Sequence, residues 1–142
     1  MTAIQRDKIA QLIPHGETMC LLDQITEWDE HQIYATTSSH RQQDNPMIEN
    51  GRMDTIILVE YGAQAAAVHA ALQQSGLGAA RPAYLGAIKK LRLFTEVVDA
   101  SVVELQIQAE CIFSDSGGAI YDISAKTPKI NLMAGRIVLV QP

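Results

Sequence analysis

The segment from Val103 to Phe113 alternates apolar residues with Glu and Gln, and Ile112 is its one interruption. A period of two is typical of a β-strand that buries one face and exposes the other. Noisier versions of this pattern, separated by turn residues, recur along the chain. We therefore predict strands at residues 20–28, 31–38, 83–94, 103–113, 119–125 and 130–140.

Residues 54–74 have a different pattern, rich in Ala, Leu, Ile and Gln and almost free of charge. This composition predicts one helix of about 20 residues, roughly 30 Å long. Asp54 is placed to cap its N-terminus, and Gly76 is placed to end it. Apolar residues surround Glu60, the one charged residue after Asp54, so we expect the helix to be buried on most faces.

A shorter amphipathic helix is predicted to begin near Ile4 and to end before Pro14. The order of elements is then a short helix, two strands, a long helix and four strands. This order indicates an α+β fold, with an antiparallel sheet of five to six strands wrapped around one long central helix. The 142 residues fit one domain, 1–142. The open edges of such a sheet favour dimerisation.

Composition argues against several classes of function. The chain has 11 Lys plus Arg against 16 Asp plus Glu, a formal charge of −5, which disfavours nucleic-acid binding because few phosphates would be neutralised. The four histidines and two cysteines lack the spacing of a metal site. The N-terminal residues are charged, and no uninterrupted apolar stretch approaches the ~20 residues of a membrane span. We expect a cytoplasmic protein without a membrane segment.

Glu60 is the most informative residue of the long helix. An unpaired carboxylate among apolar neighbours is unfavourable by several kcal/mol. Burial favours the protonated carboxyl group, which can donate a proton to a leaving group. The alternative is a glutamate paired with an arginine at a subunit boundary. Gln64 follows one turn later, where it can orient the same carboxyl group or a ligand.

The histidines divide into two pairs. His15 and His40 lie in predicted loops, where an imidazole can act as a base. His31 follows a turn and is expected in solvent, and His69 is expected to have a structural role. The polar loop 41–52 leads to the N-terminus of the long helix, where free N–H groups can polarise a carbonyl group. A plain connecting loop is the alternative.

Four basic residues lie within twelve positions of an otherwise acidic chain. This basic cluster consists of Arg81, Lys89, Lys90 and Arg92. It predicts a docking site for an acidic partner, and the alternative is a solvated face with no partner.

Two stretches resemble a known family. Residues 13–23 have the sequence Ile-Pro-His-Gly-Glu-Thr-Met-Cys-Leu-Leu-Asp, and residues 59–66 have the sequence Val-Glu-Tyr-Gly-Ala-Gln-Ala-Ala. Both are similar to motifs of the FabZ-like dehydratases, hotdog-fold enzymes that act on 3-hydroxyacyl groups attached to acyl carrier protein. More narrowly, His40, Asn45-Pro46, Gly51 and Val68-His69-Ala70 resemble the ApeP-like dehydratases associated with aryl polyene pigments.

The resemblance implies a homodimer or a mixed hotdog dimer, with the acyl-pantetheine thioester in a tunnel at the dimer interface. It implies no metal and no organic cofactor. An acidic acyl carrier protein is the implied partner, and the basic cluster is its candidate docking surface. The candidate substrate-binding residues are Gln64, Asn45 and Gly51.

The chain departs from the FabZ-like pattern at the catalytic histidine. That family carries the histidine in a Gly-His-Phe-Pro-Gly loop fourteen residues before the helical glutamate, whereas counting back from Glu60 reaches Pro46. Three alternatives follow from this departure. His40 supplies the base, or His15 supplies it, or the chain is a weakly active hotdog subunit that partners an active relative.

The implied reaction is the dehydration of 3-hydroxyacyl thioesters to trans-2-enoyl thioesters, in fatty acid or polyene biosynthesis. A histidine base would remove the α-proton, and Glu60 would protonate the leaving hydroxyl group. A hotdog thioesterase is the alternative enzyme. Since all of these proteins share the fold, fold alone does not separate them.

Overall fold

The computed structural model describes residues 3–13, 19–73 and 84–140. Within this part of the chain, seven strands form one antiparallel sheet with the order β1-β2-β3-β5-β6-β7-β4. The strands are β1 (Ile4–Gln5), β2 (Gln24–Trp28), β3 (Gln32–Thr37), β4 (Tyr84–Leu93), β5 (Leu105–Asp115), β6 (Gly118–Lys126) and β7 (Asn131–Val140). The two helices are α1 (Arg6–Leu12) and α2 (Leu58–Gln73). The predicted antiparallel sheet and long central helix are confirmed, with one very short strand more than expected.

The start of α2 differs from the prediction. A 3-10 turn, Thr55–Ile57, precedes the helix, and Asp54 makes no side-chain capping bond. Instead, Arg52 Nε lies 2.7 Å from a carboxylate oxygen of Asp54. The backbone here pairs with the segment that follows β4, because the N–H of Thr55 donates to the carbonyl of Glu96. Pairing with a distant segment therefore fixes the start of the helix. Gly76, the predicted end of the helix, lies outside the described residues.

One broad side of α2 packs against β3, β5 and β6. Gly62 lies at the closest approach, since a Cβ atom there would be 2.7 Å from Ile123 Cδ1. The opposite side is open in the single chain: Ile56 is 51% exposed, and Glu60 is also exposed. The expectation that α2 is buried on most faces is confirmed, since nine of its 16 residues are buried, whereas the burial expected for Glu60 is wrong for the single chain. By length and composition alone, Thr55–Gln73 could cross a membrane. The helix packs in the core of the protein, which explains why it is long and apolar.

The interruption of the alternating pattern at Ile112 marks a bulge. Cys111 pairs with Tyr121 and Phe113 pairs with Ile120, so Ile112 is the extra residue of β5. An extra residue reverses the inward and outward positions beyond it. As a result, Ile112 and Phe113 are both exposed although they are large and apolar.

The strand β4 lies at one edge of the sheet and pairs with β7 within the described chain. Its outer side exposes large apolar residues, among them Tyr84, Ile88 and Leu93. Lys90 has a φ of 55° at an irregularity in the pairing. An exposed apolar edge of this length is a ready surface for another strand.

Candidate active site

His40 lies in the 3-10 turn Ser39–Arg41, between β3 and the loop that leads to α2. It is only 3% exposed. Its Nε2 is 2.7 Å from the carbonyl oxygen of Val102. Because a carbonyl oxygen can only accept, Nε2 carries the ring proton and Nδ1 keeps a free lone pair. Nδ1 is buried and has no hydrogen-bond partner among the described residues.

Burial is the largest influence on His40 and lowers the pKa of its imidazole. The hydrogen bond to Val102 and the charges of Asp23 and Asp99 raise the pKa, whereas the charge of Arg41 lowers it, and the net direction is downward. The ring is therefore neutral at pH 7. A neutral imidazole with a free, buried lone pair is suited to accept a proton.

Asn45 stabilises the loop after His40 from inside. Its Nδ2 donates to the carbonyl of Ser39 at 2.8 Å and to the hydroxyl of Tyr61 at 3.0 Å. Its Oδ1 accepts from the N–H of Met47 at 2.8 Å. The side chain is buried, and its amide bonds within the chain. Asn45 thus positions the loop, and direct contact with substrate stays a prediction.

Gln64 also bonds to the backbone at both ends of its amide. Oε1 accepts from the N–H of Leu21 at 2.9 Å, and Nε2 donates to the carbonyl of Met19. Gln64 therefore attaches residues 19–21 to α2. His15, the second candidate base, lies outside the described residues. The predicted contact of Gln64 with substrate is not tested by this geometry.

Gly51 belongs to a tight surface turn. The N–H of Glu49 donates to the carbonyl of Arg52 at 2.9 Å, and the N–H of Arg52 donates back at 3.0 Å. Asn50 and Gly51 between them have φ values of 55° and 72°. Positive φ at both central residues is the reason that Asn-Gly is favoured in such turns. The glycine is accounted for by the turn, and its predicted role in substrate binding stays a prediction.

Glu60 lies one residue before Tyr61, whose side chain faces the His40 turn. Successive helical residues are rotated by about 100°, so the carboxylate of Glu60 points elsewhere. It is exposed, and no hydrogen bond or ion pair joins it to another residue in the described part of the chain. The single chain therefore does not bring Glu60 and His40 together.

An apolar cleft of about 220 Å³ lies beside the His40 turn. Val102, whose carbonyl holds the His40 ring, is part of its wall. The other apolar lining residues include Val98, Leu105 and Ile130, and Lys129 is the basic residue of the lining. The cleft offers space for a hydrocarbon chain, and Val102 is its link to His40, which is not itself one of the described lining residues.

The basic cluster is only partly on one surface. Lys89, Lys90 and Arg92 are exposed on β4, while Arg81 lies outside the described residues. Lys90 and Arg92 line one shallow depression, which Arg136 of β7 shares. The Arg136 guanidinium pairs with the Asp122 carboxylate through bonds of 2.7 and 3.1 Å.

The sequence reasoning missed Tyr61 and Ser39. Ser39 Oγ is 2.9 Å from the Tyr61 hydroxyl, and both residues are buried. A buried tyrosine usually finds a hydrogen-bond partner for its hydroxyl. The position of Tyr61 in an apolar helix could therefore have indicated a buried polar contact. Ser39 gave no comparable signal, because its contacts arise from distant parts of the chain.

The other two described histidines have different surroundings. His69 is buried, with Nδ1 2.6 Å from the Tyr121 hydroxyl and Nε2 2.8 Å from the carbonyl of Asp29. Both ring nitrogens have partners, which agrees with the structural role expected for it. His31 is exposed, as predicted.

Within residues 3–13, 19–73 and 84–140, no three His, Cys, Asp or Glu residues are grouped so that they could hold a metal ion.

Comparison with solved structures identifies the fold. The dehydratase heterocomplex ApeI:P from Xenorhabdus doucetiae matches with a TM-score of 0.85 and 19% identity, over 94% of this chain and 90% of that chain. An HP0420 homologue from Helicobacter felis matches with a TM-score of 0.66 and 10% identity, over 100% and 93%. Thioesterase HI1161 from Haemophilus influenzae matches with a TM-score of 0.64 and 14% identity, over 96% and 90%. These likenesses confirm the hotdog fold.

Comparison at the level of sequence identifies the family. No curated protein sequence matches the chain. The family model ApeP-like, described as ApeP dehydratase, matches residues 7–142. Since this match covers almost the whole sequence, the chain belongs to the ApeP-like dehydratase family.

Proposed function

We propose that the protein dehydrates 3-hydroxyacyl thioesters carried by acyl carrier protein, with His40 as the base. One observation carries this proposal: His40 is buried, its Nε2 proton is held by Val102, and its Nδ1 lone pair has no partner in the described chain. A buried polar atom without a partner is unfavourable for folding and is expected where a ligand completes the contact.

In the proposed reaction, His40 Nδ1 accepts the α-proton of the substrate. The electron pair of that C–H bond forms the double bond between the α and β carbons, and the bond from the β carbon to the hydroxyl group breaks. Glu60, as general acid, donates a proton to the departing hydroxyl group, which leaves as water. The products are a trans-2-enoyl thioester and water. His40 is then protonated and Glu60 ionised, and transfer of one proton from His40 to Glu60 through solvent restores both groups without a metal or organic cofactor.

A second hotdog subunit completes the proposed site. Glu60 on α2 and Ile56 in the 3-10 turn before it are exposed, and the apolar edge of β4 is open. A partner that covers both surfaces would bury Glu60 and bring it towards His40 of the partner subunit. The structural match to a dehydratase heterocomplex supports a mixed hotdog pair as well as a pair of identical chains.

The proposed substrate suits the surroundings of His40. The apolar cleft beside Val102 can accommodate the acyl chain. Lys89, Lys90 and Arg92 are exposed and basic, which suits an acidic carrier protein. Arg81 stays a proposed member of this docking surface from the sequence. We place the protein in the cytoplasm, where acyl carrier proteins are the thioester carriers.

The direct test is incubation of the protein with a 3-hydroxyacyl carrier protein, followed by mass spectrometry of the carrier. Loss of the mass of one water supports dehydration. Release of the free carrier thiol would instead identify a thioesterase, the alternative favoured by the structural match to thioesterase HI1161. Activity that appears only when a related dehydratase subunit is added would identify this chain as the supporting member of a mixed pair.

A further inference from the structure

Tyr61 connects α2 to the turn that carries His40. It is 0% exposed, and its hydroxyl is 2.9 Å from Ser39 Oγ and 3.0 Å from Asn45 Nδ2. The amide nitrogen of Asn45 can only donate, so the Tyr61 oxygen accepts there and its own proton is available to Ser39 Oγ. Ser39 Oγ donates in turn to the carbonyl of Leu21 at 2.7 Å. A directed chain of hydrogen bonds therefore runs from Asn45 through Tyr61 and Ser39 to the backbone.

These bonds restrain the His40 turn on both sides. Ser39 is the residue directly before His40, and its side chain bonds to Tyr61. Asn45 follows the turn and also donates to the carbonyl of Ser39 at 2.8 Å. Burial raises the pKa of Tyr61, so the hydroxyl keeps the proton that the chain of bonds requires.

The bond between His40 Nε2 and Val102 fixes one atom of the ring and does not by itself set the direction of Nδ1. A second restraint is needed to fix the direction of Nδ1, and it must act on the backbone of the turn. A displacement of about 1 Å at a reacting group can reduce a rate by about 100-fold. We infer that Tyr61 is a positioning residue, which directs His40 Nδ1 towards the substrate through Ser39 and Asn45. This inference rests on the proposed function.

The variant Tyr61→Phe tests the inference because it removes one hydroxyl group and keeps the ring. We expect kcat to fall by about 10- to 100-fold, with little change in KM, because the base is misdirected while the binding surfaces remain. Tyr121→Phe is the matched control. Tyr121 is equally buried, at 1% exposure, and its hydroxyl also bonds to a side chain, that of His69. Equal losses of kcat in the two variants would overturn the inference.

A second measurement does not depend on activity. The pKa of His40 is measured by NMR titration in the wild type and in Tyr61→Phe, with His40→Gln used to assign the signal. The charged groups around the ring, Arg41, Asp23 and Asp99, are unchanged in this variant. We expect the pKa of His40 to rise in Tyr61→Phe, because a loosened turn admits water to the ring.

The two measurements separate the inference from the proposed function. An unchanged pKa of His40 in Tyr61→Phe would show that Tyr61 does not position the ring. Absence of dehydration by the wild type, both alone and with a related dehydratase subunit added, would defeat the proposed function, while the titration would still decide whether Tyr61 holds the ring. If Tyr61→Phe does not fold, Ser39→Ala removes the same contact from the other side and is judged by the same titration.

Discussion

A buried histidine and a buried tyrosine lie near each end of α2, His40 with Tyr61 and His69 with Tyr121. The two pairs differ in whether both ring nitrogens of the histidine have partners. Near the C-terminal end, His69 bonds to the Tyr121 hydroxyl and to the carbonyl of Asp29, so both of its ring nitrogens have partners. Near the N-terminal end, His40 bonds to Val102 through Nε2, while Nδ1 has no partner in the described chain. Tyr61 at this end bonds to the residues around His40 rather than to the ring.

The difference separates a fully satisfied polar contact from one that leaves a buried ring nitrogen without a partner. Buried polar groups stabilise a fold when every donor and acceptor is satisfied, as they are at His69. A buried ring nitrogen without a partner makes folding less favourable. Burial lowers the pKa of both histidines, so burial alone does not distinguish them. The free lone pair of His40 does distinguish them, and it is the reason that the proposed base lies near the N-terminal end of α2.

The largest expected effect is the loss of the base. His40→Ala should reduce kcat by about 100- to 10,000-fold, because no other described side chain presents a free ring nitrogen at this position. The carrier-protein dehydration assay measures it. His15→Ala, tested in parallel, should retain activity. A wild-type rate in His40→Ala together with an inactive His15→Ala would move the base to the other loop.

Glu60→Gln should reduce kcat by about 100-fold or more, because the amide keeps the shape of the side chain and lacks the proton that the leaving hydroxyl group needs. The thermal unfolding midpoint should remain close to that of the wild type, since Glu60 is exposed in the single chain and makes no ion pair in its described part. Full activity of this variant would remove Glu60 from the mechanism.

At the other end of α2 the effect should be on stability. His69→Leu removes the imidazole partner of the Tyr121 hydroxyl and leaves the Asp29 carbonyl with only the longer 3.3 Å bond from Gln73. This loss should lower the free energy of unfolding by about 1 to 3 kcal/mol. Urea denaturation measures this change, and kcat of the folded fraction should stay near the wild-type value. His31→Leu, on the exposed turn, is the control that should change neither. A stable but inactive His69→Leu would contradict the comparison.

The smallest effect should appear in the pH dependence of stability. The pKa of His69 is lowered in the folded state by burial, so the unfolded chain binds a proton at a higher pH than the folded chain does. Stability should therefore fall as pH decreases below about 6.5, the ordinary histidine value. Denaturation midpoints are measured between about pH 7.5 and about pH 5, a range that includes the ordinary histidine pKa. The midpoint should fall less steeply with decreasing pH in His69→Leu than in the wild type. An identical slope in the two proteins would show that His69 is not responsible.

Several features of the fold were predictable because they depend on neighbouring residues. The alternation of Val103 to Phe113 predicted β5, and its interruption at Ile112 coincides with the bulge. The uncharged segment 54–74 predicted the core helix. The capping role of Asp54 was wrong, because its carboxylate bonds to Arg52 and the backbone beside it pairs with the segment after β4.

Periodicity and local motifs are properties of adjacent positions, so the amino-acid sequence was enough to predict the fold class, the family, and a short set of candidate reactive residues, His15, His40 and Glu60. The sequence did not show which buried ring nitrogen is left without a partner. His40 and His69 are both buried, and they differ only in their contacts with the distant residues Val102, Tyr121 and Asp29. Those contacts form when the chain folds, so the free lone pair of His40 and the exposure of Glu60 were decided by the tertiary structure alone.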